Sequence, residues 1–212
     1  MLSEEIRLND KKPGLAGVIL AGGESKRFRS SKAFATYNNQ YFYESALEAL
    51  SPYTDQNVIV SQPSLSTRFI KEKGFSIIED IDPFKGKGPL SGIYAAMKQC
   101  PASWYFVLPC DMPRMNAAAA GKLAAQIDRQ FDAVIPNVFG RIQPLAGLYH
   151  RSTLTQLEEQ LSLENYRMIH FLNKINTKYV TEQDLAITED VFQNVNDQDE
   201  YKLLLENNSS ST

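Results

Sequence analysis

Cysteine is scarce in this chain of 212 residues, where Cys100 and Cys110 are the only two. Two thiols build neither a disulfide framework nor a four-ligand zinc site. Long apolar runs are missing as well. No stretch approaches the roughly 18 apolar residues of a transmembrane helix. The opening Met-Leu-Ser-Glu-Glu-Ile-Arg-Leu lacks the apolar core of a secretory signal. There is no basic excess: 22 Lys and Arg stand against 25 Asp and Glu, a net charge of −3. A nucleic-acid binder usually carries a surplus of cations. Histidine is limited to His150 and His170, isolated and without metal-ligand spacing, a pattern that reads as structural or surface use. A Gly-x-Ser-x-Gly elbow is absent, as are a P-loop and a Gly-x-Gly-x-x-Gly turn, which argues against an α/β-hydrolase, a P-loop ATPase and a dinucleotide-dependent dehydrogenase. With no Cys–His signature, Cys110 is not read as a nucleophile. The expectation is a cytoplasmic protein with no nucleic-acid and no membrane partner.

What is present is enough apolar material for a core, 43% of the residues. Short runs rich in Val, Ile and aromatics recur: Gly17-Val-Ile-Leu-Ala21, Asn57-Val-Ile-Val-Ser61, Phe75-Ser-Ile-Ile-Glu79, Trp104-Tyr-Phe-Val-Leu108 and Asp132-Ala-Val-Ile-Pro136. Each is apolar on both faces, as strands inside a parallel sheet are. Amphipathic stretches near 41–51, 64–73, 89–99 and 116–130 separate them, the last alanine-rich. The alternation predicts an α/β fold, a mostly parallel central sheet with helices on both faces in three layers. After about residue 140 a strand is expected over 144–149, with an antiparallel course open to it. Helices near 151–161 and 165–173, a strand near 175–180 and a helix near 197–206 follow. A single domain over 1–206 is expected, with residues 1–13 and 207–212 as flexible ends.

Ligands bind at the carboxyl ends of the strands in such sheets. Three of those ends carry chemistry. The first leads into Gly22-Gly-Glu-Ser-Lys-Arg-Phe-Arg-Ser-Ser-Lys32, the third into Asp80, the fourth into Pro109-Cys-Asp111. Gly22 and Gly23 let backbone amides approach a phosphate, and Arg27 and Lys32 can neutralise an oligophosphate. The bland alternative is a glycine turn followed by a solvated basic loop. Asp111 can hold Mg²⁺, which takes oxygen ligands together with substrate phosphates, or it can cap a helix or a turn. Asp80 suits a ribose, the metal or a cap. Lys85-Gly-Lys-Gly-Pro-Leu-Ser-Gly92 precedes a helix whose N-terminus attracts anions, or is a mobile surface loop. Trp104, Tyr105 and Phe106 are read as core.

These residues resemble the molybdenum cofactor guanylyltransferase family. Leu20-Ala-Gly-Gly-Glu-Ser-Lys-Arg-Phe-Arg-Ser-Ser-Lys32 is similar to the family's LAGGxSxRMGxDK signature. Gly88-Pro-Leu-Ser-Gly92, Pro109-Cys-Asp-Met-Pro113, Gln143-Pro-Leu145 and Phe192-Gln-Asn-Val-Asn196 follow in family order, so the resemblance runs from residue 17 to about 203. Phe28-Arg29 stands where the family has Met-Gly, Ser31 where it has aspartate, and Asp197-Gln-Asp-Glu200 where it has an NTPED-like ending.

The resemblance implies a Rossmann-like nucleotidyltransferase fold. It implies an enzyme that transfers GMP from GTP to molybdenum-molybdopterin, releases pyrophosphate and depends on Mg²⁺. Leu20, Ala21, Gly22 and Gly23 would meet the nucleotide through backbone. Lys32 would contact phosphates, with Arg27 beside it. Ser61 and Asp80 would lie by the nucleoside, and Asp111 would bind the metal. Asn194, Asn196 and Arg167 would lie on the pterin side. A molybdoenzyme or a cofactor-synthesis protein is an implied partner. The competing expectations are a nucleotidyltransferase using CTP or a different phosphate acceptor, and a non-catalytic protein that delivers the cofactor.

Overall fold

The computed structural model describes residues 14–22, 28, 30–69 and 74–209. In chain order they form β1 (Leu15–Leu20), the hairpin β2 (Thr36–Tyr37) and β3 (Gln40–Tyr41), α1 (Phe42–Leu50), β4 (Gln56–Val60) and β5 (Ser76–Ile78). Next come α2 (Pro89–Gln99), β6 (Trp104–Pro109), α3 (Ala117–Ala124), β7 (Ala133–Val138), β8 (Arg141–Ile142) and β9 (Gly147–His150). The chain continues through α4 (Leu154–Ser162), α5 (Met168–Leu172), β10 (Thr177–Val180), α6 (Glu182–Leu185) and α7 (Gln198–Ser209).

One sheet takes the order β10-β7-β9-β6-β1-β4-β5, with β8 paired to β7. Its pairs are parallel except where β9 runs against β6 and β7, and β8 against β7. Every residue of β6 is buried, which is why its sequence shows no polar alternation. Successive side chains still go to opposite faces. Val18, Val58 and Val107 pack with α2, α4 and α5 through Ile93, Met97, Leu157 and Phe171. Ile19, Ile59 and Leu108 pack on the other side with α1 and α3 through Leu47, Leu50, Ala120 and Leu123. These are the three expected layers. A third, smaller cluster joins Phe28, Ala35, Phe42, Val195 and Leu204.

The register positions the site. Leu20 pairs with Val60 and with Pro109, and Val60 pairs with Ile78. Four strand ends therefore finish in one row. The chain leaves β1 toward β4 and β5, then returns to β6 on the other side, so the row spans a topological switch point.

Some elements depart from the sequence reading. The helix expected over 116–130 stops at Ala124; beyond it Gln126 and Ile127 make tighter turns, and Asp128 Oδ1 accepts from the Gln130 N–H, a local bond that competes with helix. The stretch 64–73 is a 3-10 turn over Pro63–Arg68, while residues 70–73 lie outside the described residues. The strand expected from 144 begins at Gly147, because Ala146 N–H first closes a turn onto the Gln143 carbonyl. It is antiparallel and inserted between β6 and β7. The expected flexible ends at 1–13 and 210–212 lie outside the described residues, and α7 carries on to Ser209.

Candidate active site

The row of strand ends opens on a cleft of about 860 Å³. Leu20, Ala21 and Gly22 enter it from β1, Ser61 and Gln62 from β4, Glu79 and Asp80 from β5, and Cys110 and Asp111 from β6. Ala21 N–H donates to the Val60 carbonyl at 2.9 Å, and Cys110 N–H to the Leu20 carbonyl at 3.1 Å. The sheet hydrogen bonding thus extends one residue past the strands and fixes the chain as far as Ala21. Gly23 and Arg27 lie outside the described residues.

Lys32 and Asp111, separated by 79 residues in sequence, meet in this cleft. Lys32 Nζ donates to Asp111 Oδ2 at 2.8 Å, and the two side chains keep 15% and 20% of their surface exposed. Lys32 Nζ also reaches Asn196 Oδ1 at 3.4 Å. The backbone carbonyl of Asp111 accepts from Val195 N–H at 2.9 Å. The segment after Phe192 therefore fastens both members of the pair. Asp111 is not the cap of the following helix: Asn116 holds that place, its Oδ1 accepting from Ala119 N–H at 3.0 Å. The carboxylate is left to face the cleft.

Asp80 is engaged by the loop that follows it. Its Oδ2 accepts from Gly86 N–H at 2.9 Å and lies 2.8 Å from Ser91 Oγ. Gly88 at φ +85 turns the chain into α2, and Pro89 opens that helix at a position where its missing N–H costs nothing. The mobile-loop alternative for 85–92 thus gives way to a loop tied to a strand end. Lys85 pairs with Glu79 at 3.6 Å, well exposed.

Of the remaining predicted residues, Ser61 lines the cleft, while Asn194 and Arg167 lie outside its lining. Ser61 is buried, its N–H bonded to the Ile78 carbonyl at 3.0 Å. Asn194 is exposed beside Val195, and Arg167 is exposed at the head of α5, outside the lining of the cleft. His170 Nδ1 lies 3.0 Å from Asn165 Oδ1, and His150 packs against Trp104, both apart from the cleft. Phe28 is 2% exposed and its ring lies 5.4 Å from that of Tyr201. One of the residues that depart from the family signature is thus part of the small third core. Burial is the main cause that pushes the Cys110 thiol pKa well up, and the adjacent Asp111 charge adds to it. A buried thiol shifted in this direction is disfavoured as a thiolate nucleophile.

Sequence reasoning missed Gln62. Its Nε2 donates to the Gly22 carbonyl and clips Gly22 to the end of β4. A side-chain amide directly after a strand end was the signal that could have found it.

A mostly parallel sheet whose aligned strand ends bring Gly22, a lysine and a carboxylate into one cleft is a Rossmann-like α/β arrangement with its ligand site at the switch point. Residues 17–178 match the MobA-like NTP transferase domain. A probable molybdenum cofactor guanylyltransferase of Geobacillus sp. (strain WCH70) is 48% identical over 88% of this chain and 96% of its own length. Its counterpart from Halalkalibacterium halodurans is 40% identical over 85% of this chain and 92% of its own. The solved structure of molybdopterin-guanine dinucleotide biosynthesis protein A from Archaeoglobus fulgidus has a TM-score of 0.74 at 24% identity, covering 92% of this chain and 99% of that one, and shares the fold. The chain belongs to the MobA-like NTP transferase family and is an enzyme, a nucleotidyltransferase.

Proposed function

We propose that this enzyme transfers GMP from GTP to the terminal phosphate of molybdenum-molybdopterin, forming the guanine dinucleotide cofactor and releasing pyrophosphate. The observation that carries the reading is the Lys32–Asp111 pair in the cleft at the four strand ends. The names of the 48% and 40% identical relatives point to the same reaction.

In this reading the nucleotide enters over Leu20, Ala21 and Gly22, with Ser61 and Asp80 beside the nucleoside, and Gly23 and Arg27 complete the phosphate loop. The pterin phosphate oxygen attacks the α-phosphorus in line. One P–O bond forms, the α–β anhydride bond breaks, and pyrophosphate leaves. The attacking phosphate is already ionised, so no protein base is required. Positioning and charge neutralisation account for the rate. Lys32 Nζ supplies a cation held in advance by Asp111 and Asn196, ready to move onto phosphate oxygens.

A divalent cation fits Asp111. Among the described residues no group of three or more His, Cys, Asp or Glu gathers to cage a metal. A single cleft-facing carboxylate completed by substrate phosphates is the kind of site Mg²⁺ takes. When bound, Mg²⁺ supplies charge neutralisation for the triphosphate. On the acceptor side, Asn194 and Asn196 flank Val195 next to the Lys32–Asp111 pair, whereas Arg167 would reach the pterin only from α5.

The test is pyrophosphate release with Mg²⁺ and molybdenum-loaded molybdopterin, with GTP and CTP in parallel. Release with GTP alone is expected. Release with CTP alone moves the base assignment. Silence with both, from folded protein and verified pterin, overturns the acceptor.

A further inference from the structure

A second cavity, of about 420 Å³, lies between the β7–β8 hairpin and the segment 189–193. Its walls lead to the Lys32–Asp111 pair by two routes. Gln143 lines it, and Leu145, two residues on, lines the nucleotide cleft. Gln193 lines it, and Val195 and Asn196, just beyond, bond to Asp111 and Lys32. A molecule spanning both spaces would pass the pair.

The second cavity has its own chemistry. Phe139 stands at its rim, 36% exposed, at φ +50. Phe139 and Gly140, at φ +50 and φ +73, form the two-residue turn joining Val138 to Arg141. Such turns favour Asn-Gly, because a bulky side chain is strained at positive φ. An aromatic ring is therefore held at the rim against its backbone preference, and strain of this kind gathers at ligand sites. The cavity also offers two carboxylates. Asp190 is engaged by Arg114 at 3.8 Å, while Glu189 has no ion pair among the described residues. The Gln143 and Gln193 side chains add an amide donor and acceptor each.

We infer that this cavity receives the pterin ring of the second substrate, with Phe139 covering its flat face and Glu189 accepting from its paired N–H groups. The inference rests on the reaction proposed above and names the place of its acceptor. A pterin presents a 2-amino group and a ring N–H on one edge, two parallel donors that a carboxylate matches in bidentate fashion. A guanine base presents the same edge, so the shared chemistry is an aminopyrimidinone. The position decides between the two sources. In the reaction proposed above the nucleotide enters over Gly22 and Ser61, which line the larger cleft, so the second heterocycle lies on the other side of the Lys32–Asp111 pair.

Two variants test it. Phe139→Asn puts a residue suited to left-handed backbone at the turn, so its melting temperature should equal or exceed the parent's, while KM for molybdenum-molybdopterin rises about tenfold and KM for GTP holds. A purely structural role would give the opposite sign on stability. Glu189→Gln should raise the pterin KM about tenfold or more, and Glu189→Asp should restore part of it. Pterin KM values within twofold of the parent in both Phe139→Asn and Glu189→Gln overturn the inference. A rise confined to the GTP KM also overturns it and assigns the cavity to the base. A fluorescence titration with 6-hydroxymethylpterin phosphate keeps the test independent of turnover. Weaker binding to both variants than to the parent supports the cavity even if no pyrophosphate is released, and equal binding sinks it.

Discussion

Asp111 carries most of what this protein is proposed to do, and its position explains why it was legible. It follows a strand buried on both faces, and an acid just past such a strand lies at the ligand edge of an α/β sheet. The cap alternative disappears because Asn116 takes that role. Asp111→Asn keeps the shape and an acceptor for Lys32 but removes the charge. A partly exposed ion pair of this kind contributes at most about 1 kcal/mol to stability, whereas lost charge stabilisation in a transition state costs roughly 10²–10³ in turnover. The variant should melt within about 4 °C of the parent and lose at least about a hundredfold in pyrophosphate release. A loss under tenfold, measured beside the melting curve, would end the metal and charge assignment. Gln62 was not legible in the same way. Its place just past a strand end was a local signal, but its partner is the backbone of Gly22, 40 residues away, and the sequence does not name that partner.

At the scale of elements, the buried strands read well and the short, exposed ones did not. The hairpin β2–β3 has two residues on each side, too few for a periodicity. Its signal was the turn: Asn38 and Asn39 sit at φ +51 and φ +62, the pair a two-residue hairpin favours. The last helix was foreseen as a helix, but not as a fastening for the chain around Lys32. Gln198 Nε2 donates to the Phe28 carbonyl at 2.6 Å, and Tyr201 Oη donates to the Thr36 carbonyl at 2.8 Å. Thr36 N–H returns a bond to Tyr201 Oη at 3.2 Å. α7 therefore grips the chain on both sides of Lys32. Tyr201→Phe keeps the ring against Phe28 and Phe42 but removes the hydroxyl. Losing the bonds to the Thr36 N–H, carbonyl and hydroxyl should cost about 1–2 kcal/mol and lower the melting temperature by roughly 2–8 °C. With Lys32 less firmly placed, kcat should fall several-fold while KM for the pterin changes little. A melting shift with unchanged kcat would make α7 a structural brace and nothing more.

For the whole molecule, the feature the sequence pattern left undetermined is where β9 goes. An apolar run near 144–149 suits a strand, but pairing partners are a tertiary property, and local pattern does not say that it slides between β6 and β7. The seam at its end ties the two halves of the sheet together and sets a pH dependence. His150 N–H donates to the Asp132 carbonyl at 2.8 Å, and its ring lies 5.1 Å from Trp104. Ser152 Oγ donates to Asp132 Oδ1 at 2.6 Å and lies 2.9 Å from His150 Nδ1, which is also 3.3 Å from the Ser152 N–H. Burial holds the His150 pKa below its ordinary value, and the Asp132 charge offsets part of that. Above about pH 6.5 the ring is neutral in both folded and unfolded chains and pH has no hold on it. As pH falls through that value the unfolded chain takes up the proton first, so stability declines until the lower folded value is passed, and then levels off. His150→Gln removes this contribution while every other titrating group stays in place. Urea unfolding of parent and variant between pH 8 and pH 5 should show the parent losing more stability on acidification. Parallel curves would mean that the seam takes up a proton as easily folded as unfolded, and that the acid sensitivity of the molecule lies elsewhere.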